Sequence, residues 1–180
     1  QAISFLPKIQ DGETVESCTT IAEVEGSATS ILVGERTALN FLQRLSGTAT
    51  LTAQFVNAIS HTSAQIVDTR KTTAGWRLLQ KYAVRVGGGR NHRFGLYDGI
   101  LIKDNHIVAA GGIKSAIAGA KKTIPHTLKV EVEVKMLDQI SEALEAGADI
   151  VLLDNMTNTD MKTAVAKISG KALTEASGGI

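Results

Sequence analysis

The sequence predicts an α/β fold whose larger part is a (β/α) barrel or a section of one. Three observations carry this expectation. From residue 65 onward, short apolar runs recur with polar residues at their ends: AQIVDTR, DGILIKDNH, KVEVEVK, ADIVLLDNM and ALTEASGG. Helical segments, MLDQISEALEAG and NTDMKTAVAKIS, lie between the last three of them. In EALEAGADIVLLD a glycine, Gly147, stops a helix and a buried strand follows at once. Strand, polar tip, helix, glycine and next strand is the rhythm of a parallel sheet with crossover helices.

Taken in order, residues 1–33 read as short strands. TTIAEVEG and TSILV carry the β-branched residues, and DGE and EGS supply turns. GERTALNFLQRLSG reads as a helix, because Leu39, Leu42 and Leu45, with Ala38 and Phe41, form one apolar stripe. Gly47 is expected to break it. TATLTAQFVNAIS reads as a second helix, with Leu51, Phe55, Val56 and Ile59 on one face. GWRLLQKYAVR reads as a third. Its Arg77, Lys81 and Arg85, spaced four apart, form either a solvated face or a support behind a site.

Composition bounds the function. The net charge is +1, so nothing global points to nucleic acid or to an acidic membrane. Locally the picture differs. From Arg70 to Lys103 there are 8 cations, Arg70, Lys71, Arg77, Lys81, Arg85, Arg90, Arg93 and Lys103, against Asp98 alone, which is +7 and leaves −6 for the rest. A basic cluster in a balanced chain points to one anionic ligand. Cys18 is the only cysteine, which excludes an internal disulfide and fits a reducing cytoplasm. No apolar run approaches the roughly 18 residues that a membrane span needs, and no signal peptide pattern is present. The chain begins at Gln1 without Met and stops at EASGGI as another unit begins, so a fragment of a longer chain is expected.

The strand tips carry Asp68-Thr69-Arg70-Lys71, Lys103-Asp104-Asn105-His106, Glu133, Asp154-Asn155 and Ser177-Gly178-Gly179. In barrels of this kind the chemistry sits at the C-terminal ends of the strands. Arg can grip carboxylate or phosphate in a bidentate fork. Carboxylates on neighbouring strands can hold Mg²⁺ with substrate phosphates. The SGG run offers backbone N–H groups to a phosphate. Any one charged tip can be a solvated cap, but five together are harder to dismiss. Lys103 stands out, because it follows the apolar GILI and an unpaired ammonium leaving a buried strand is costly. Its plainer alternative is a lysine paired with a local carboxylate. Familiar motifs are missing: no GK[ST], no dinucleotide glycine spacing at GGGRNH, no GxSxG, and no zinc spacing among His61, His92, His106 and His126.

The blocks ERTALNFLQRLSGTAT, DTRKTTAGWRLLQKYAVRVGGGRNHRFGLYDGILIKDNH, KVEVEV, ADIVLLDNM and EASGGI closely resemble the quinolinate phosphoribosyltransferases. These are the carboxylating nicotinate-nucleotide pyrophosphorylases of NAD biosynthesis. The resemblance covers the chain from about residue 11, and DTRKT, GGGRNHR and LIKDNH in that order are its most specific part. It implies part of an N-terminal α/β sandwich domain over residues 1–47 and an incomplete, open α/β barrel over 48–180. It implies quinolinate and phosphoribosyl pyrophosphate as substrates, Mg²⁺ as cofactor, and a homodimer that either stands alone or builds a hexamer.

By the same resemblance, Arg70, His92, Arg93 and Lys103 surround the quinolinate carboxylates, and Arg36 completes a site across the dimer interface. Lys71 contacts the phosphoribosyl pyrophosphate. Glu133 and Asp154 face the ribose and its Mg²⁺. Ser177, Gly178 and Gly179 cradle the 5′-phosphate. Period-two alternation puts Glu131 and Glu133 on one side of their strand, and Glu133 is preferred as nearer the tip. The three glycines at 87–89 are read as a tight passage leading Arg90, His92 and Arg93 into the site. Two alternatives are a paralogous, ModD-like phosphoribosyltransferase acting on another acid, and a domain that dimerises without catalysing.

Overall fold

The computed structural model describes residues 2–179. The chain divides into two compact units, Gln1–Phe94 and Gly95–Ile180.

In the first unit, β1 (Ile3–Pro7) pairs antiparallel with β2 (Ala22–Gly26), Phe5 opposite Val24. A single helix of 31 residues follows, α1 (Ala28–Ala58). Two expectations fail here. TSILV is the start of α1, not a strand, because its β-branched residues express a weak preference that the surrounding helix overrides. Gly47 does not break the helix. A glycine in mid-helix costs about 1 kcal/mol relative to alanine, and the many residues that propagate the helix on either side outweigh it.

The next helix, α2 (Arg77–Val86), lies against α1. The glycine triplet at its end makes the approach possible. A Cβ added at Gly87 would lie 2.3 Å from the Ala49 carbonyl oxygen and 2.8 Å from Thr52 Cβ. One at Gly89 would meet Thr52 and Val84 side chains at 2.9 Å. The chain therefore runs backbone-to-backbone past α1 before turning to Arg90. Near the start of α2, Trp76 stacks on Phe41 of α1 at 4.5 Å between centroids. The AQIVDTR run is not a full strand. It is reduced to one parallel bridge, Val67 to Arg90, with Arg90 N donating to Ile66 O (2.8 Å) and Asp68 N to Arg90 O (3.1 Å).

The second unit is a parallel sheet in the order β3 (Ile100–Ile102), β4 (Val130–Val134), β5 (Ile150–Asp154) and β6 (Leu173–Ser177). Sequential order with parallel strands is the open α/β barrel arrangement, and no closure occurs among the described residues. Between the strands run α3 (Asp104–Ala110), α4 (Ile113–Thr123), α5 (Leu137–Glu145) and α6 (Asn158–Ile168). One face of the sheet is apolar: Ile102, Val130, Val132, Val134, Val151 and Leu153 pack with Ile117, Ile140, Ala143, Ala164 and Ile168 from the helices. Gly147 ends α5 as expected, at φ +81°, with Ala148 N returning to Ala143 O at 2.9 Å. Thr157 caps α6 by accepting from Asp160 N at 3.1 Å. No helix among the described residues is long and apolar enough to cross a membrane.

Candidate functional site

Register decides what the second face of the parallel sheet carries. Leu101 pairs with Glu131, Glu131 and Glu133 with Ile150 and Leu152, Glu175 with Leu152, and Ser177 with Asp154. Partners across a parallel ladder share a face, and so do alternate residues along a strand. Lys103, Glu131, Glu133, Asp154, Glu175 and Ser177 therefore belong to the face opposite the apolar core. Glu175 was not singled out from the sequence. An acidic residue inside a strand at period two from Ser177 was the signal that could have found it.

On this face Lys103 Nζ donates to Glu133 Oε2 at 3.0 Å. The lysine side chain is 47% exposed and that of Glu133 only 9%. The paired-lysine alternative is thus realised with a predicted site residue as the partner. Glu131 is buried to 2% exposure, while Glu133 stands nearer the tip and reaches Lys103. At the tip of β5, Asp154 Oδ1 accepts from Asn155 Nδ2 at 2.9 Å, and Asn155 N donates to Ser177 O at 2.8 Å. Gly178 and Gly179 both take left-handed backbone, φ +86° and +71°. Successive N–H groups in such turns form anion-binding concavities.

Two neighbours frame the tip of β3 without belonging to the predicted set. His106 Nδ1 accepts from Lys103 N at 3.0 Å, which spends that histidine on starting α3. Lys135 Nζ donates to Asp104 Oδ2 at 2.8 Å. That hydrogen bond, helped by the Asn105 amide, holds the Asp104 carboxyl below its ordinary range and raises the Lys135 ammonium above its own.

In the first unit the bridge at Val67 and Arg90 lays two segments side by side. One carries Arg70 and Lys71, the other His92 and Arg93. Arg70 is half-buried, and its Nε is buried without a hydrogen-bond partner. A desolvated guanidinium N–H costs free energy until an acceptor arrives. Lys71 is exposed, its backbone N held by Thr69 Oγ1 at 3.0 Å. His92 Nδ1 accepts from Arg93 N at 2.8 Å, which leaves the ring's outer nitrogen as its donor. Arg36 is exposed on α1.

Of the two readings offered for the cations of α2, the solvated face fails for Lys81. It is 2% exposed and bonds Asp68 Oδ1 at 2.5 Å and the His92 carbonyl at 3.1 Å. Arg77 is half-buried and donates to the Arg70 carbonyl at 3.2 Å and the Phe94 carbonyl at 3.1 Å. Both act as supports behind the two segments.

Known proteins share the sequence and the fold of this chain. Residues 48–180 match the family described as quinolinate phosphoribosyl transferase, C-terminal domain, and residues 1–46 match its N-terminal domain. The chain is 42% identical to the human nicotinate-nucleotide pyrophosphorylase (carboxylating), covering 98% of this chain and 60% of that one. It is 43% identical to the Mycobacterium leprae (strain TN) protein of the same description, covering 97% and 62%. Among solved structures, the nicotinate-nucleotide pyrophosphorylase from Francisella tularensis superposes with a TM-score of 0.95 at 49% identity, covering 99% of this chain and 63% of that one. The chain thus spans about three fifths of the length of the curated relatives it matches. With its two domain models matched over residues 1–46 and 48–180, the chain belongs to the quinolinate phosphoribosyltransferase family.

Proposed function

We propose that this chain serves a phosphoribosyltransferase that joins quinolinate to phosphoribosyl pyrophosphate, giving nicotinate mononucleotide, pyrophosphate and CO₂. The observation that carries the reading is the match of both family domains across the chain. The buried, unpartnered Nε of Arg70 supports it locally, since a dianionic pyridine would supply the missing acceptor.

Arg70, His92, Arg93 and Lys103 hold the two carboxylates and present the ring nitrogen to ribose C1, which is catalysis by positioning. Lys71 binds the pyrophosphate end. Ser177, Gly178 and Gly179 take the 5′-phosphate. The C1–O bond breaks, its electrons leave with pyrophosphate, and the pyridine nitrogen bonds to C1. Glu133 and Asp154, on the same face of adjacent strands, stabilise the positive charge that develops at C1. Their oxygen donors also suit a hard cation. They are the residues that would hold Mg²⁺, which when bound neutralises the leaving pyrophosphate. Ribosylation leaves the ring nitrogen cationic, so the ring accepts the electrons of the departing 2-carboxylate, and a proton takes its place. No general base is needed for that step.

A homodimer with Arg36 reaching the partner's site belongs to this reading. The exposed Leu39, Phe41 and Leu42 near Arg36 on α1 support it. A cytoplasmic setting goes with it, supported by the lone Cys18. The test is direct: incubate the chain with quinolinate, phosphoribosyl pyrophosphate and Mg²⁺, with nicotinate as the control acid. Nicotinate mononucleotide from quinolinate alone is expected. Product from another acid instead would favour a paralogous enzyme, and quinolinate binding without product would favour a dimerising domain. Sedimentation of the same sample reads the assembly.

A further inference from the structure

We propose that the buried Asp68–Lys81 pair is the positioning element that fixes the His92–Arg93 segment for ligand, a role that rests on the functional reading above. In that reading neither residue touches substrate.

The pair is unusual for its burial. Lys81 is 2% exposed at the side chain and Asp68 9%, and their 2.5 Å bond spans from α2 to the segment before Arg70. A buried ion pair brings little net stability over an apolar pair of the same shape. Its role therefore lies beyond stability, in the remaining hydrogen bonds of the pair. Asp68 Oδ1 also accepts from His92 N at 2.9 Å, and Asp68 Oδ2 from Asn91 Nδ2 at 2.6 Å. Lys81 Nζ donates to His92 O at 3.1 Å, and Asn91 Nδ2 to Lys81 O at 2.9 Å. Both backbone groups of His92 are thus held by the two members of one ion pair. The carboxylate takes the N–H and the ammonium takes the carbonyl. Each bond is charge-assisted, and such bonds are shorter and stronger than neutral ones. Neutral partners would hold both groups less firmly. The imidazole and the Arg93 that follows are oriented by a backbone whose two peptide planes, one on each side of His92, cannot rotate without breaking one of these bonds.

The test separates positioning from mere stability. Lys81→Met alone strands a buried carboxylate and can unfold the unit, so the deciding variant is Asp68→Ala with Lys81→Met, which removes both charges together. Asn91 Nδ2 keeps an acceptor there in the residue 81 carbonyl. Three readouts are taken on the whole chain: thermal midpoint, amide hydrogen exchange at His92, and quinolinate affinity by calorimetry. Expected are a midpoint close to the unmodified chain, His92 exchange faster by roughly tenfold or more, and quinolinate binding weaker by roughly tenfold or more. Unchanged His92 protection overturns the proposal. So does faster exchange with unchanged quinolinate affinity. In the unmodified chain, His92 must exchange no faster than Lys81 and Ala83 of α2; faster exchange there overturns it without any variant. If the unmodified chain binds no quinolinate, the ligand assignment fails, and the exchange readouts alone decide the positioning.

Discussion

A methyl group added at Gly178 would sit 2.2 Å from Asn155 Oδ1, on a backbone with φ of +86°. A side chain there is strained by the positive φ and requires the Asn155 side chain to shift. Gly178→Ala should cost about 1 kcal/mol or more of stability, and it should weaken phosphoribosyl pyrophosphate binding more than quinolinate binding, read by calorimetry with each ligand. At Lys103 the expectation is reversed. On its proposed role Lys103→Ala should weaken quinolinate binding more than phosphoribosyl pyrophosphate binding, and unaltered quinolinate affinity would count against that role. The Asp104–Lys135 pair gives a pH signature. Asp104 is lowered by its bond to Lys135, so its contribution is present above the unfolded carboxylate range near 3.8 and is lost as pH falls through the still lower folded value. Lys135 is raised, so its contribution is full below about 10.5 and is lost as pH rises further. NMR titration of Lys135→Ala should show Asp104 titrating at a higher pH. Lys103 and Glu133 were legible because each interrupts or ends an apolar pattern. Lys81 was not. Cations four apart look the same on a wet helix face as on a buried one, and its burial depends on Asp68, 13 positions away.

Gly87 shows how much of an element's fit can rest on one missing atom. Its φ of −75° suits any residue, so the cost of Gly87→Ala is steric only. The overlap is with the Ala49 carbonyl and Thr52 Cβ, which move only if α1 and α2 separate. A loss of about 2 kcal/mol is expected, typical of overpacking, measured by chemical denaturation. Ile140 of α5, fully buried against the sheet, fails in the opposite way. Ile140→Ala leaves a cavity and should cost about 2–5 kcal/mol. The strands β4, β5 and β6 and the helices α5 and α6 were readable because each carries an unambiguous period between clear stops. The helices α3 and α4 were passed over, and TSILV was misread, because short apolar runs do not distinguish strand from buried helix. The triple glycine was readable as a close passage. What it passes, the α1 backbone, was not, since that contact is set by packing alone.

The basic stretch from Arg70 to Lys103, +7 in a chain of net +1, gives the whole molecule a prediction in salt. Raising ionic strength from about 0.05 to 0.5 M shortens the screening length severalfold, so quinolinate binding should weaken. The affinity for a neutral pyridine should not. The fold class was legible from the alternation of strand and helix. The division at Phe94 and Gly95 was not, because it follows from which segments pack together. One feature of α1 bears on how such proteins can change over time. The two family domains meet between residues 46 and 48, in the interior of a helix of 31 residues. A helix turns about 100° per residue. Exchange of either domain between relatives must therefore splice inside a rod and keep its phase. A single inserted residue at the joint would swing everything before it by more than a quarter turn. Seven would nearly restore it. Lineages that trade these domains should show joint lengths that differ by whole turns or not at all.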